Sequence, residues 1–155
     1  MKETLTLELL EKTEVEEFLN IAIDSFTDKK QGLATLKRQL DLFFEKGNLL
    51  NGLFYSFKSN SEIIGTIYIK ERECDLDGVD IFNVVIKKDT RGEGIGKKML
   101  QSMFEMIKKT DKEFAFVSTD KTDENFYKKC GMKEFGRINE SRNNADRVYL
   151  YKRIA

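Results

Sequence analysis

The stretch that decides the fold is residues 79–109, which read VDIFNVVIKKDTRGEGIGKKMLQSMFEMIKK. Its first part, 81–86, is almost continuously apolar, as in a strand that is covered on both faces. Its last part, from Ile95 to Ile107, carries apolar residues at helical spacing. Alternate glycines at 92, 94 and 96 separate the two parts, so we predict a strand, a tight turn and a helix. A short apolar strand at 113–118 then completes a right-handed parallel β-α-β crossover.

The sequence on either side of this crossover predicts hairpins and three further helices. A capping box that starts at Thr13 is expected to open the first helix, and turns are expected at 58–61 and at Asn143-Asn144. The fold class is therefore α/β, with a mixed, mostly antiparallel sheet, helices on both faces and the central parallel crossover. The predicted strands are 4–9, 50–57, 62–71, 79–87, 113–118, 133–139 and 147–151, and the predicted helices carry the apolar residues of 15–26, 33–44, 95–107 and 122–130.

Composition limits what the protein can do. The chain has 155 residues, and its 27 Lys and Arg are balanced by 27 Asp and Glu. That length suits one domain over 1–155, and the balanced charge argues against a nucleic-acid partner. Histidine is absent, which excludes a Ser-His-Asp triad, a Cys-His pair and a His-ligated metal site. Proton transfer must then fall to a carboxylate, Tyr, Cys, Lys, the backbone or water.

The two cysteines and the chain start bear on the compartment. Cys74 and Cys130 stand far apart, which favours neither a zinc ribbon nor a disulfide framework. The start lacks the apolar core of a signal peptide, and no apolar run approaches the roughly 18–20 residues that span a bilayer. We therefore expect a cytoplasmic protein with reduced thiols, no metal and no membrane partner.

The glycine turn suggests an anion site. Glycine allows close approach of another group, and a helix start presents unpaired N–H groups and a positive dipole. Together they favour phosphate or pyrophosphate. A Rossmann motif fails because Lys97 and Met99 stand where its third glycine would be, and a Walker A motif fails because Lys98 stands where Ser or Thr is needed. A tight structural turn with solvated lysines stays open as the alternative.

Two motifs carry a resemblance to a known family. The pattern Arg-x-x-Gly-x-Gly at Arg91, Gly94 and Gly96 resembles the acyl-CoA pyrophosphate loop of the GNAT superfamily of N-acyltransferases. The segment 84–90 resembles the strand and connection before that loop. The run 125–132, NFYKKCGM, resembles the family's second signature, with Met132 in place of the final aromatic residue. The element order matches from Thr4 to Tyr151.

The resemblance implies that acetyl-CoA is the co-substrate. The pantetheine arm would pair with backbone groups of Val84, Val85 and Ile86, like an added strand. The pyrophosphate would bind the backbone amides of the glycine turn, with an arginine at the entrance. The residues implied for this second role are Arg91, Gly92, Glu93, Gly94, Ile95, Gly96 and Lys97.

The resemblance also implies an N-acetyltransferase in which a primary amine attacks the thioester directly. Tyr127 stands where the family carries its general acid, which would protonate the thiolate of CoA, and a packed helix tyrosine is the alternative. An amide of Val84 or Val85 would bind the oxyanion. Asp80, at the start of the crossover strand, is the candidate general base, although a solvated acidic hairpin at 71–80 is the alternative.

The acceptor is less constrained. Asn83 and Asp28 are candidate acceptor contacts, and the acidic residues favour a cationic acceptor, either a small amine or a protein amino group. A non-catalytic CoA-binding or regulatory module on the same fold is the competing function, and a nucleotide-binding domain is a third. Dimerisation is common in the family, so a homodimer is also expected.

Overall fold

The elements occur in the predicted order. The computed structural model describes residues 3–46, 52–72, 77–139 and 146–154. Its strands are β1 (Leu5–Leu9), β2 (Gly52–Ser59), β3 (Glu62–Glu71), β4 (Gly78–Ile86), β5 (Phe114–Thr119), β6 (Lys133–Ile138) and β7 (Arg147–Arg153). Its helices are α1 (Val15–Ala22), α2 (Lys29–Lys46), α3 (Ile95–Lys108) and α4 (Glu124–Lys129), with 3-10 turns at Lys12–Glu14, Ile23–Ser25 and Lys88–Thr90.

These strands form one mixed sheet. In the part of the chain that the structure describes, a seven-stranded sheet runs in the order β1-β2-β3-β4-β5-β7-β6. Strands β4 and β5 pair in parallel through the α3 crossover, and the other neighbours pair antiparallel. The β2–β3 hairpin turns at Asn60 and Ser61, whose φ values of 49° and 73° are those of a tight hairpin turn. The predicted α/β class is confirmed.

Alternation along the strands separates two cores on opposite faces of the sheet. Phe54 and Tyr68 point to the face that α1 and α2 cover, whereas Tyr55 and Ile67 point to the face that α3 and α4 cover. Burying one such side chain contributes about 1.5–3 kcal/mol. The α1/α2 core includes Phe18, Leu19, Leu36 and Leu40, and the α3/α4 core includes Met99, Leu100, Met103, Ile107, Tyr127 and Cys130.

Several predicted boundaries need correction. The capping box predicted at Thr13 is wrong, because a 3-10 turn already begins at Lys12 and the Glu14 carboxylate accepts the Glu11 N–H at 3.0 Å. Helix α4 starts two residues later than predicted, because the Asp120 carboxylate caps the turn before it. The predicted Asn143-Asn144 turn lies outside the described residues.

The pairing of β4 with β5 is incomplete, and this positions the site. Its last pair is Ile81 with Val117, yet β4 continues to Ile86 and β5 to Thr119. Beyond that pair the β4 edge that faces β5 has no strand partner among the described residues. The β3–β4 register shifts over the same stretch, where Asn83 has a φ of 52°. The two strands therefore diverge and leave a gap in the middle of the sheet.

None of the described helices is both long and apolar enough to cross a membrane.

Candidate active site

A cavity of about 940 Å³ lies where β4 and β5 diverge. The diverging strands, the glycine turn, α4 and the segment that connects α1 to α2 all contribute to its wall. It is lined by residues 24–27, 81–86, 91, 92, 94–97, 117–120, 123, 126, 127, 129, 130 and 147. The strand ends, the glycine turn and the tyrosine that the sequence singled out therefore share one cavity.

The cavity passes through the sheet from one face to the other. Tyr127 and Cys130 belong to the core on the α3/α4 face. Phe82 is on the other face, where its ring lies 5.7 Å from that of Tyr68. Ser118 and Arg147 are also on that face, because they alternate with Val117 and Val148 of the α3/α4 core. A ligand on each face can thus meet the other in the gap between the strands.

The glycine turn forms an open cradle at the start of α3. Gly92 and Gly94 have φ values of 87° and 74°, which side chains other than glycine rarely adopt. A Cβ added at either position would have nothing within 4 Å, so the backbone faces free space. Gly94 is the residue before α3, where helical N–H groups have no partner within the helix. Such a cradle can bind an anion such as a phosphate, which a Cβ at this surface would displace.

The cations around the cradle are already partly engaged. Arg91 donates its Nε–H to the Ile86 carbonyl at 2.7 Å, and its Nη2 lies 3.6 Å from Asp24 Oδ2. Lys88 Nζ lies 3.8 Å from the same carboxylate oxygen. Lys87 points away and pairs with Glu62 at 2.9 Å. Arg91 and Lys88 therefore stay close to the cradle, with Asp24 as their counterion.

Tyr127 projects from α4 into the cavity. Only 7% of the residue is exposed, and its ring packs edge-to-face on Phe126 at 5.0 Å. Burial raises the pKa of the Tyr127 phenol well above its usual 10, and the carboxylate of Asp123, one turn earlier, raises it further. The phenol is therefore held as O–H and can donate a hydrogen bond. Burial also raises the pKa of the Cys130 thiol, which argues against a thiolate nucleophile there.

Asn83 and the end of β4 both contribute to the cavity wall. Asn83 lines the cavity, and Ser25 Oγ donates to its Oδ1 at 3.3 Å. Its carbonyl accepts the Thr66 hydroxyl at 3.2 Å, which supports the unusual backbone there. Residues 84–86 line the cavity on the edge that diverges from β5.

Three residues singled out from the sequence lie elsewhere. Asp80 is outside the cavity lining, because its carboxylate accepts Arg72 Nε–H at 2.9 Å. Asp28 is also outside it, because its carboxylate caps α2 by accepting the Gln31 N–H at 3.0 Å. Glu93 is exposed and does not line the cavity, so any part it plays is confined to its backbone.

Other residues complete the cavity and were not found from the sequence. Asp123 lines it one helical turn before Tyr127, a spacing that could have identified it. Burial, together with the nearby Asp120, raises the pKa of the Asp123 carboxyl. Arg147 comes from a distant segment and stands in no local motif. Asp24, in contrast, was among the acidic residues from which the sequence predicted a cationic acceptor, and it lies beside Lys88 and Arg91. The described residues contain no group of three or more Cys, Asp or Glu that could hold a metal ion.

Comparison with known proteins identifies the domain. The family model described as an acetyltransferase (GNAT) domain matches residues 51–134. A search of curated proteins finds no match.

Solved structures share the whole fold at low sequence identity. A GNAT-family protein from Desulfovibrio desulfuricans superposes with a TM-score of 0.83 at 13% identity, over 99% of this chain and all of the other. A Bacillus subtilis acetyltransferase in complex with CoA gives 0.70 at 21% identity, over 97% of this chain and 99% of the other. The Vibrio cholerae spermidine N-acetyltransferase in complex with CoA and spermine gives 0.79 at 14% identity, over 96% and 95%.

Proposed function

Because the chain belongs to the GNAT family of acetyl-CoA-dependent N-acetyltransferases, we propose that it transfers the acetyl group of acetyl-CoA to a primary amine by direct attack on the thioester. The observation that carries the proposal is the cavity through the sheet. The cradle at Gly94 and the phenol of Tyr127 lie on its α3/α4 side. The donor would occupy that side, and the acceptor would enter from the other.

The end of β4 would hold the reacting part of the donor. Its edge beyond Ile81 offers N–H and C=O groups that β5 does not use, and Val84, Val85 and Ile86 line the cavity there. The pantetheine arm would pair with these groups as an added strand. An amide of Val84 or Val85 would donate to the thioester oxygen as it becomes an oxyanion.

Gly92 to Lys97 would bind the pyrophosphate, because the backbone there faces free space at two glycines. Arg91 and Lys88 would exchange part of their contact with Asp24 for contact with the phosphates. This exchange replaces one charge-assisted pair with another, so the two cations stay neutralised in both states.

The chemical step would proceed as follows. The amine nitrogen bonds to the thioester carbon, the tetrahedral intermediate collapses, and the carbon–sulfur bond breaks. Tyr127 would donate a hydrogen bond, and then its proton, to the departing CoA sulfur. The excess proton of the amine would leave through water in the cavity, because the Asp80 carboxylate is paired with Arg72. Proton return from water would restore the phenol.

The acceptor would be a small amine or a protein amino group. The acidic residues of 71–80 that favoured a cationic acceptor do not line the cavity where they are described. A Vibrio cholerae relative in fold is named as a spermidine N-acetyltransferase, which supports an amine acceptor in general. A single domain over 1–155 and a homodimer are proposed with it, on family resemblance.

The test is thiol release from acetyl-CoA across a panel of amines, with Tyr127→Phe beside the wild type. The variant keeps the ring but loses the donor, so kcat should fall about 100-fold or more while acetyl-CoA binding is kept. Tyr151→Phe is the matched control, because Tyr151 is outside the cavity and should leave kcat unchanged.

Two outcomes would contradict the proposal. Tight binding of acetyl-CoA without turnover of any amine would favour the non-catalytic module. Full activity of Tyr127→Phe would remove the tyrosine from the mechanism.

A further inference from the structure

A guanidinium stands on the side of the cavity opposite the donor cradle. Arg147 begins β7, lines the cavity, and points to the α1/α2 face of the sheet. Its Nη2 donates to Ser118 Oγ at 2.8 Å, and Ser118 is the penultimate residue of β5, alongside the gap. The hydrogen bond fixes the guanidinium beside the opening through which the acceptor would enter.

This guanidinium has no carboxylate counterion among the residues that the structure describes. The nearest acidic neighbour in sequence, Asp146, pairs with Lys121 at 2.5 Å instead. Among the described residues, the hydrogen-bond partner of the Arg147 guanidinium is the neutral hydroxyl of Ser118. Arg147 is partly buried, so its charge has lost part of its hydration. A charge-assisted hydrogen bond to an anionic ligand would offset that unfavourable free energy.

The cavity lining includes three carboxylates, and none of them forms an ion pair with Arg147 among the described residues. Asp24 lies near Lys29, Lys88 and Arg91, at 3.2, 3.8 and 3.6 Å. Asp120 caps the turn before α4, and Asp123 lies near Tyr127 and Arg91 on the donor side. The remaining wall of the acceptor side is apolar or neutral, with Phe26, Phe82 and Asn83.

From this arrangement we propose that the acceptor amine carries an anionic group, a carboxylate or a phosphate, and that Arg147 binds it. The inference rests on the proposed function, since it names the acceptor class of that site. The planar guanidinium presents two parallel N–H donors to such an anion, and Ser118 adds a hydroxyl beside it. Arg147 is then a specificity-determining residue that positions the amine towards the gap.

The test compares acceptors with and without an anionic group. Acetyl transfer is measured with free amino acids, with their primary amides, with O-phosphoethanolamine and with spermidine. The wild type should prefer the anionic acceptors. Arg147→Met should raise KM for them at least about tenfold, leave the amides unchanged and leave acetyl-CoA binding intact. Arg153→Met, on the same strand and outside the cavity, is the matched control.

A second measurement separates this inference from the proposed function. Calorimetry of an N-acetyl amino acid and of its amide into the CoA-saturated protein makes the same comparison without turnover. Tighter binding of the acid, lost in Arg147→Met, supports the inference even if no amine is acetylated. A preference for phosphate over carboxylate supports it with phosphate as the anion. Equal binding of acid and amide, or spermidine as the best acceptor with the acids rejected, would overturn it.

Discussion

At the scale of single residues, the environment of Tyr127 decides what its phenol can do. A free phenol and a thiol have similar pKa values, about 10 and 8.5, so proton exchange between them is nearly balanced. In the cavity, burial and the Asp123 carboxylate raise the pKa of the phenol. The group is then a persistent hydrogen-bond donor, and it gives up its proton only to a sulfur whose own pKa is raised by desolvation in the same cavity.

This environment predicts the alkaline behaviour of the protein. Because the pKa of Tyr127 lies above its usual value, no phenolate should form there up to about pH 10. The ultraviolet titration of the wild type minus that of Tyr127→Phe should be flat to that pH. An inflection at or below pH 10 that the variant lacks would show that the phenol is not desolvated.

Asp123 gives a second prediction at the residue scale, this time on stability. Burial raises the pKa of the Asp123 carboxyl above 3.8, so the folded state keeps this proton to a higher pH than the unfolded chain does. Stability from this group is therefore full below pH 3.8 and is lost as the pH rises through the folded pKa. Asp123→Asn should raise Tm at pH 7 and match the wild type near pH 3. An equal Tm at both pH values would contradict this sign.

At the scale of elements, the irregular end of β4 creates the site. A regular β4 would stay paired with β5 and close the gap. Instead, the register shift and the φ of 52° at Asn83 turn the strand, and the Thr66 hydroxyl binds the Asn83 carbonyl. The strand thereby leaves a row of backbone groups free on its open edge.

This backbone gives a prediction on stability. Asn83→Gly relieves the left-handed conformation and should keep or raise the free energy of unfolding. Asn83→Val places a branched Cβ there and should lower it by about 1–3 kcal/mol. Urea denaturation measures both. If valine is tolerated as well as glycine, Asn83 is not held at positive φ in solution.

The glycine turn gives the second prediction at this scale. Gly94→Ala should lower the free energy of unfolding by about 1–2 kcal/mol, because alanine is strained at a φ of 74°. The backbone conformation is the whole source of this cost, since the added Cβ meets no atom of the protein within 4 Å. That Cβ would occupy the space of the pyrophosphate, so the Kd of acetyl-CoA should rise about tenfold or more.

Gly131→Ala separates these two effects. Gly131 has a similar φ of 91° but ends α4, outside the cavity lining. The Gly131→Ala variant should be less stable than the wild type and should keep its affinity for acetyl-CoA. A parallel loss of affinity in both variants would mean that strain, rather than crowding of the cradle, weakens binding.

At the scale of the whole molecule, chain segments before and after β4 meet at the cavity. Asp24 belongs to the 3-10 turn after α1, whereas Arg91 and Lys88 belong to the connection between β4 and α3. In the proposed function, this carboxylate would compete with the pyrophosphate for the same cations. Its removal should make the cradle more positive.

The resulting prediction is that Asp24→Asn binds acetyl-CoA about two- to fivefold more tightly, with the gain reduced by added salt. Calorimetry at two salt concentrations measures it. Asp28→Asn is the control, because asparagine can keep the cap of α2, so this variant should change neither the stability nor the affinity appreciably. Weaker binding in Asp24→Asn would show that Asp24 orders Arg91 rather than competing for it.

Much of the donor side was accessible from the sequence. The strand at 79–87, the glycine turn and the helix from Ile95 are local patterns, and the structure reproduces each within a residue or two. The family was also accessible, because two short motifs stand in the right element order. Such features depend on neighbours along the chain, and periodicity or a turn conformation reports them directly.

The acceptor side was decided by the tertiary structure alone. Asp80 and Asp28 are acidic residues near the right elements, yet Arg72 and the α2 backbone engage their carboxylates. Arg147 and Asp24 reach the cavity because β7 pairs with β5 and because α1 packs on the sheet. The sequence by itself determined the crossover and the glycine turn, whose positions follow from local spacing, and the family resemblance pointed to Tyr127. Which charges face the acceptor depends on pairings between distant segments, and those are set only when the chain packs.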